Sequence, residues 1–282
     1  MGMEITWYGT ASVRINVQKL SLLFDPFVPL PGAAYTLPVA GFLPAPYIFI
    51  THGHLDHLGS IPQLVQCGAG EVFATATPCG TLIGQGVPRE RLHRIRPGDE
   101  LRFSAAEGSP LDSGASAPPE AGADTVAVRV VQGRHIRFDL PLVLTTLASP
   151  RIVRYADNVA TIRKDNKVFL ENHETVVYEI SYGGLLVTLM GSLALVGDGH
   201  YAQNPDLLVL PYQGHSHLEL VALPIIERLM PRAVLLDHFD DPFPPVSHEI
   251  DTAPLVEAMA QWHPEIRVIV PERGIAYPVE GS

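Results

Sequence analysis

The sequence predicts an α/β fold, and three features point to it. Short apolar runs rich in β-branched and aromatic residues alternate with brief helix-like segments between residues 46 and 95. Hairpin-like pairs of such runs open the chain and recur near residue 180. A dense group of imidazoles and carboxylate, Thr51-His52-Gly53-His54-Leu55-Asp56-His57-Leu58-Gly59, directly follows the apolar run Pro46-Tyr47-Ile48-Phe49-Ile50. With 282 residues, 46% of them hydrophobic, the chain is long enough for one large domain or two small ones, and we expect the former over residues 1–282.

Taken in order, Ile5–Tyr8, Val13–Val17 and Leu20–Phe24 read as three short strands, with Gly9-Thr10 and Gln18-Lys19 at the turns. Asp25-Pro26 ends the third. Asp25 is placed either to hydrogen-bond an imidazole or to cap the following turn. Val28 to Pro46 is rich in proline and glycine, so it cannot be regular for long. It either walls a pocket or covers an edge strand.

The group at 52–57 is hard to reconcile with core packing, because histidine is only intermediate in burial and aspartate is rarely buried unpaired. A solvated histidine-rich loop is the bland alternative, but such loops are usually homopolymeric. Here the spacing is irregular, a strand precedes it, and a helix start at Ser60 with Pro62 follows. Imidazole nitrogen and carboxylate oxygen suit zinc, manganese or iron, and a tight turn at Gly53 lets alternate side chains converge.

His52-x-His54-x-Asp56-His57 resembles the signature of the metallo-β-lactamase superfamily, and Asp25-Pro26 with Gly9-Thr10-Ala11-Ser12 resembles its UlaG-like and UPF0173-like metal-dependent hydrolase branch. That branch carries histidine where Thr10 stands. The resemblance implies a four-layer αββα sandwich. It implies two divalent metal ions, most simply Zn(2+) with Mn(2+) or Fe(2+) as alternatives, one held by His52 and His54, the other by Asp56 and His57. It also implies hydrolysis by a metal-activated water.

Beyond the motif, Ile61–Cys67 reads as a helix, with strands at Glu71–Thr75 and Leu92–Ile95. Residues 104–123 are small, Pro/Ser/Gly-rich and aperiodic, which predicts a mobile surface insertion. Thr125–Gln132 alternates as a strand should, and the resemblance assigns His135, just after it, as a further ligand of the first metal. Residues 138–175 form the one strongly basic stretch, with Arg151, Arg154, Arg163, Lys164 and Lys167. We expect a basic lid for an anionic substrate group or a subunit contact there; a solvated helix face is the plainer reading.

Val176–Ser181 and Leu185–Met190 form a hairpin about Gly183-Gly184. The resembling proteins end this second strand in Gly-Asp, whose carboxylate bridges the metals, whereas this chain has Gly191-Ser192 and a later Gly197-Asp198. A parallel crossover to Leu207–Leu210 needs about a dozen residues. Thirteen residues follow Ser192 and only seven follow Asp198. The register therefore favours Ser192, a poor bridging ligand. Either Asp198 reaches back to the site, or one metal site is weak.

Tyr212-Gln213-Gly214-His215-Ser216-His217 opens a loop in which His215 is a candidate for substrate binding and His217 for proton transfer, with helix capping as the alternative. Leu220–Leu229 and Thr252–Trp262 read as helices, Ala233–Leu236 as a core strand, and Val268–Val270 with Gly274–Tyr277 as closing strands. His238 matches the final ligand of the second metal. Asp237, Asp240 and Asp241 read as supporting or surface groups.

A net charge of −11 argues against a nucleic-acid partner. Two cysteines, Cys67 and Cys79, without metal-knuckle spacing suggest buried thiols in a reducing compartment. No signal-like leader or membrane-length run is evident. These features predict a cytoplasmic, metal-dependent hydrolase of a small substrate such as a lactone, ester or phosphoester, with homo-oligomerisation compatible. Asp56 doubles as ligand and orienting base, and His217 or His215 protonates the leaving group. The competing reading is a catalytically impaired metal- or ligand-binding protein, because Ser192 stands at the bridging position.

Overall fold

Strand-forming alternation organises the two ends of the chain and its middle. The computed structural model describes residues 2–111 and 124–281. Strands β1 (Met3–Gly9), β2 (Ser12–Val17) and β3 (Leu20–Phe24) form an antiparallel meander. β4 (Tyr47–Phe49) then joins β3 in parallel, and the short helices α1 (Leu55–Leu58) and α2 (Ile61–Gln66) cross over to β5 (Glu71–Ala74). Helix α3 (Ala76–Gly84) leads to β6 (Leu92–Arg94), then β7 (Glu100–Ser104), β8 (Ser109–Pro110) and β9 (Thr125–Gln132). The sequence hides α3, because Pro78, Gly80 and Gly84 all argue against a helix.

The segment predicted to be a lid is helical: α4 (Leu140–Ala148), α5 (Arg151–Arg154) and α6 (Ala156–Asp165). It is followed by β10 (Val176–Tyr182), β11 (Leu185–Met190), β12 (Leu207–Pro211), α7 (Leu218–Leu229), β13 (Ala233–Asp237), α8 (Ala253–Trp262), β14 (Arg267–Ile269) and β15 (Ala276–Pro278). Of the predicted insertion at 104–123, residues 104–110 instead close a short hairpin between β7 and β8. Residues 112–123 lie outside the described residues.

Two sheets result, ordered β15-β1-β2-β3-β4-β5-β6 and β14-β13-β12-β11-β10-β9-β7-β8. Three apolar clusters fill the gaps between four layers. Ile5, Ile15, Phe49, Tyr178 and Val209 lie between the sheets. Leu208, Leu236, Ile226 and Leu255 join the second sheet to α7 and α8. Ile48, Leu58, Leu64 and Leu82 join the first sheet to α1–α3. This is the αββα sandwich that the resemblance implies. The Val28–Pro46 loop covers the first sheet, not the pocket: Phe42 is buried there, and Arg14 donates to the carbonyls of Phe42 and Pro44. Of the two thiols expected to be buried, only Cys79 is; Cys67 is exposed on the turn after α2.

Helix α4, like α5, buries none of its residues. Its leucines forgo part of the roughly 1.5–3 kcal/mol that full burial of each would contribute. The segment is anchored elsewhere: Asn158 Nδ2 donates to the carbonyls of Pro31 (2.9 Å) and Pro244 (2.7 Å). Arg151 pairs with Asp241 and with the Ser247 carbonyl.

Candidate metal centre

Strand ends deliver the site. The parallel pairing of Phe24 with Phe49 sets Asp25 beside Ile50-Thr51. Tyr178 donates its hydroxyl hydrogen to the Ile50 carbonyl at 2.6 Å, and Val176 N–H donates to the Thr51 carbonyl at 2.9 Å, fixing this corner to the other sheet. His135 follows β9, Ser192 follows β11, His215 follows β12 and His238 follows β13, all on the same rim.

Gly53 has an ordinary φ, so its role differs from the tight turn expected. A side chain there would place its Cβ 2.1 Å from the carbonyl oxygen of Leu170. Glycine lets the strap after α6 press against the motif. We expect Gly53→Ala to lower stability by about 1–3 kcal/mol and to reduce metal content, read by urea unfolding and elemental analysis of the same sample.

Two groups of three side chains converge with their donor atoms within 4.8 Å of one another: His52, His54 and His135, and Asp56, His57 and His238. The rings of His52 and His57 lie 3.9 Å apart by centroid, so the two groups adjoin. Hydrogen bonds set the tautomers. His57 Nδ1 lies 2.8 Å from Asp25 Oδ2, and His135 Nδ1 lies 2.7 Å from the Ile136 carbonyl. Both rings thereby keep Nε2 free to face the centre. Asp25 also accepts from Thr51 N–H (2.8 Å) and Thr51 Oγ1 (2.5 Å), which makes it the imidazole partner that was one of its two expected roles.

The electrostatics agree with a cation site. Burial, reinforced by repulsion from neighbouring imidazoles, holds His52 well below its ordinary pKa. Burial likewise brings His54 down to about 4 and lowers His135. The first group is therefore a set of neutral imidazoles with their lone pairs turned inward. In the second, burial of Asp56 is outweighed by His57, His238 and His54, which pull its carboxyl well below the usual carboxylate range. Burial opposes charge on His238, but the 2.9 Å contact with Asp56 outweighs it and holds the ring at about 8. An all-nitrogen set beside a nitrogen–carboxylate set fits zinc, manganese or iron.

A pH dependence follows. Near pH 7 the His238 ring is mostly protonated and must lose that proton to bind a cation, whereas His52 and His54 are already neutral. We expect metal uptake by the second group to release about one proton and to strengthen about tenfold per pH unit from pH 6 towards 8. Uptake by the first group is expected to be flat over the same range. Calorimetry in two buffers of different ionisation enthalpy measures both.

The other predicted residues are divided. Ser192 is buried, and its Oγ accepts the Ile136 N–H at 3.0 Å, so it steadies the His135 segment. Asp198 is exposed and lies in neither ligand group, and the structure does not bring it to the site because the loop after β11 carries it outward. His215 lines the pocket; its Nδ1 accepts the His217 N–H at 3.0 Å, which puts its neutral-form proton on Nε2. His217, expected as the proton donor, points to solvent beside Glu219 at 3.8 Å. Thr10, at the family's histidine position, acts through its backbone: its carbonyl accepts the His238 N–H at 2.8 Å and its N–H donates to Asp240 at 2.9 Å. Asp241 pairs with Arg151, and burial pushes the Asp237 carboxyl well above the ordinary range.

A cavity of about 520 Å³ stands over the two groups. The segment after His135 does roof it, but with Phe138, Leu142, Val143, Leu147, Ile162 and Phe169; none of Arg151, Arg154, Arg163, Lys164 or Lys167 lines it. That corrects the expectation of a basic lid. Arg151 is committed to Asp241, and Arg154 stacks on Tyr155. Glu171 is a lining residue that no motif signals; bonds from Thr175 and the His173 N–H outweigh burial and keep it ionised.

Two facing sheets with paired histidine-rich ligand groups at one rim define a metallo-β-lactamase-like protein. The chain belongs to the β-lactamase superfamily, whose domain description, "Beta-lactamase superfamily domain", matches residues 4–236. It is 38% identical over 66 residues to a UPF0173 metal-dependent hydrolase of Haloarcula marismortui, covering 23% of this chain and 26% of that one. Across such curated relatives the chain spans less than half of their length. Among solved structures it resembles Igni18, a metallo hydrolase from Ignicoccus hospitalis, with TM-score 0.62, 15% identity and full coverage of both chains. It also resembles the metallo-β-lactamase fold protein YhfI of Bacillus subtilis, with TM-score 0.55, 14% identity and 98% coverage of each. Those likenesses concern the fold.

Proposed function

We propose that the protein is a metal-dependent hydrolase working on a small lactone, ester or related acyl substrate. The observation that carries this reading is the pair of adjoining ligand groups, neutral imidazoles beside a carboxylate-bearing set, on the floor of a cavity. His52, His54 and His135 would hold one cation, and Asp56, His57 and His238 the other. When bound, zinc, manganese or iron supplies Lewis acidity and an activated water near neutral pH.

The chain's own groups do the rest. Asp25 and the Ile136 carbonyl orient His57 and His135. Asp56 offers a carboxylate oxygen to orient the attacking water. His215, not His217, has an Nε2 proton and a place on the pocket wall from which to protonate the leaving group. Free Cys67 and Cys79 support a reducing, cytoplasmic setting. Among the described residues no helix is long and apolar enough to cross a membrane.

The impaired-binder alternative draws on Ser192, which offers a hydroxyl where a bridging carboxylate was expected. Metal content and turnover separate the two. Two metals per chain with hydrolysis of simple esters or lactones support the enzyme, and one metal without turnover supports the binder. Asp198→Ala is expected to leave metal content unaltered; loss of one metal in that variant overturns the ligand set given above.

A further inference from the structure

The roof of the cavity says more about the substrate than the ligand groups do. Phe138, Leu142, Val143, Leu147, Ile162 and Phe169 line it, the first, third and fourth of them still open to solvent on one side, and no lysine or arginine among the described residues lines it. Outside the ligand groups, the carboxylate facing the cavity among the described residues is Glu171, which repels a second anionic group. At about 30 Å³ per non-hydrogen atom, 520 Å³ admits roughly 17 atoms. The apolar lining also continues to the surface. Helix α4 lines the cavity with Leu142, Val143 and Leu147, of which Val143 is 38% and Leu147 66% exposed, and the same short helix carries Leu140 (68% exposed) and Leu144 (56%) beside Phe138 at 58%.

We propose that the substrate is a neutral ester, thioester or lactone bearing an apolar acyl chain of roughly eight to twelve carbons. The chain lies under α4 and α6, enters past the exposed leucines, and leaves its carbonyl over the ligand groups. The assignment of the reaction rests on the hydrolase reading above; the assignment of the chain rests on the cavity. In balance, the oxygen of water bonds to the acyl carbon, the bond from that carbon to the alcohol or thiol heteroatom breaks, and a proton passes to that heteroatom. The products are a carboxylate, an alcohol or thiol, and one proton. The exposed leucines act as an entry lip. A second copy of the chain seated on α4 is the competing occupant, and it would shut that lip.

The test is calorimetric titration of metal-loaded protein with the non-hydrolysable methyl ketones 2-butanone, 2-octanone and 2-decanone. At about 0.8 kcal/mol per buried methylene, each adds roughly fourfold, so 2-decanone is expected to bind at least ~100-fold tighter than 2-butanone. Leu142→Asp is expected to weaken 2-decanone at least tenfold, and Val143→Trp to shift the preference towards 2-octanone. Val153→Asp, at a residue 82% exposed and outside the lining, is the control and should bind as the native chain does.

Equal affinity across the ketones on native protein overturns the proposal, as does dimerisation through α4 that excludes 2-decanone. Turnover of p-nitrophenyl acetate and decanoate is read separately. If neither ester is hydrolysed while 2-decanone still binds tightly, the hydrolase reading fails and the chain site stands. If acetate is hydrolysed but the ketones do not discriminate, the reverse holds.

Discussion

Asp56→Asn is expected to lose one of two metals and to lower kcat/KM by about 10²–10⁴. Asp56 is the carboxylate in the second ligand group, 2.9 Å from His238 Nε2 and 3.6 Å from His57 Nε2. Removing one partner from a buried ionic cluster costs about 3–5 kcal/mol, and at 1.36 kcal/mol per decade that corresponds to the stated loss. The first group, His52, His54 and His135, does not include Asp56 and is expected to keep its cation. The metal-free protein supplies a second readout. His238 sits at about 8 because of Asp56, against the pull of burial. Without that carboxylate its titration should move down, visible by NMR. Retention of both metals with activity within threefold of native would show that Asp56 is not a ligand.

Asp25→Ala is expected to cost about 3–5 kcal/mol of stability and to weaken metal at the second group 10–100-fold. A single carboxylate there serves Thr51 N–H, the Thr51 hydroxyl and His57 Nδ1, all of them buried. Its removal strands the Thr51 N–H, leaves the Thr51 hydroxyl only its longer contacts with His52 and His57 Nδ1 (3.1 and 3.3 Å), and frees the His57 ring to take the other tautomer. Asp25 also has φ 43°, a conformation that asparagine tolerates better than alanine. Asp25→Asn therefore separates the loss of charge from backbone strain, and should be less destabilising than alanine while still weakening the second metal. Urea unfolding of the metal-free protein and calorimetric zinc titration measure the two effects. An Asp25→Ala protein with native zinc affinity would remove Asp25 from the site's support.

Legibility followed the range of the interactions. β3, β9 and β11 match their expected spans because alternation of side chains is a property of a few neighbouring residues. The motif at 52–57 was legible for the same reason: its chemistry is packed into six positions. His135 and His238 were reached through the resemblance and their place after strands, and the structure sets them beside the motif. Helix α3 was not legible, since tertiary burial of Pro78, Cys79 and Leu82 overrides a poor local propensity.

Other features depended on contacts between distant segments. The sequence by itself determined an α/β chain through its strand and helix periods, implied the four-layer architecture through its family signature, and determined the donor atoms offered at 52–57. Only the tertiary structure decided that Asp25 orients His57, that Ser192 holds Ile136, that Asp198 and His217 face away, and that the segment after His135 presents leucines rather than arginines to the cavity. Side-chain direction at a rim depends on which distant loops pack against it. In the 138–175 segment Arg154, Arg163, Lys164 and Lys167 lie outward because solvation favours them there, Arg151 is paired with Asp241, and apolar side chains with Glu171 are left to line the site.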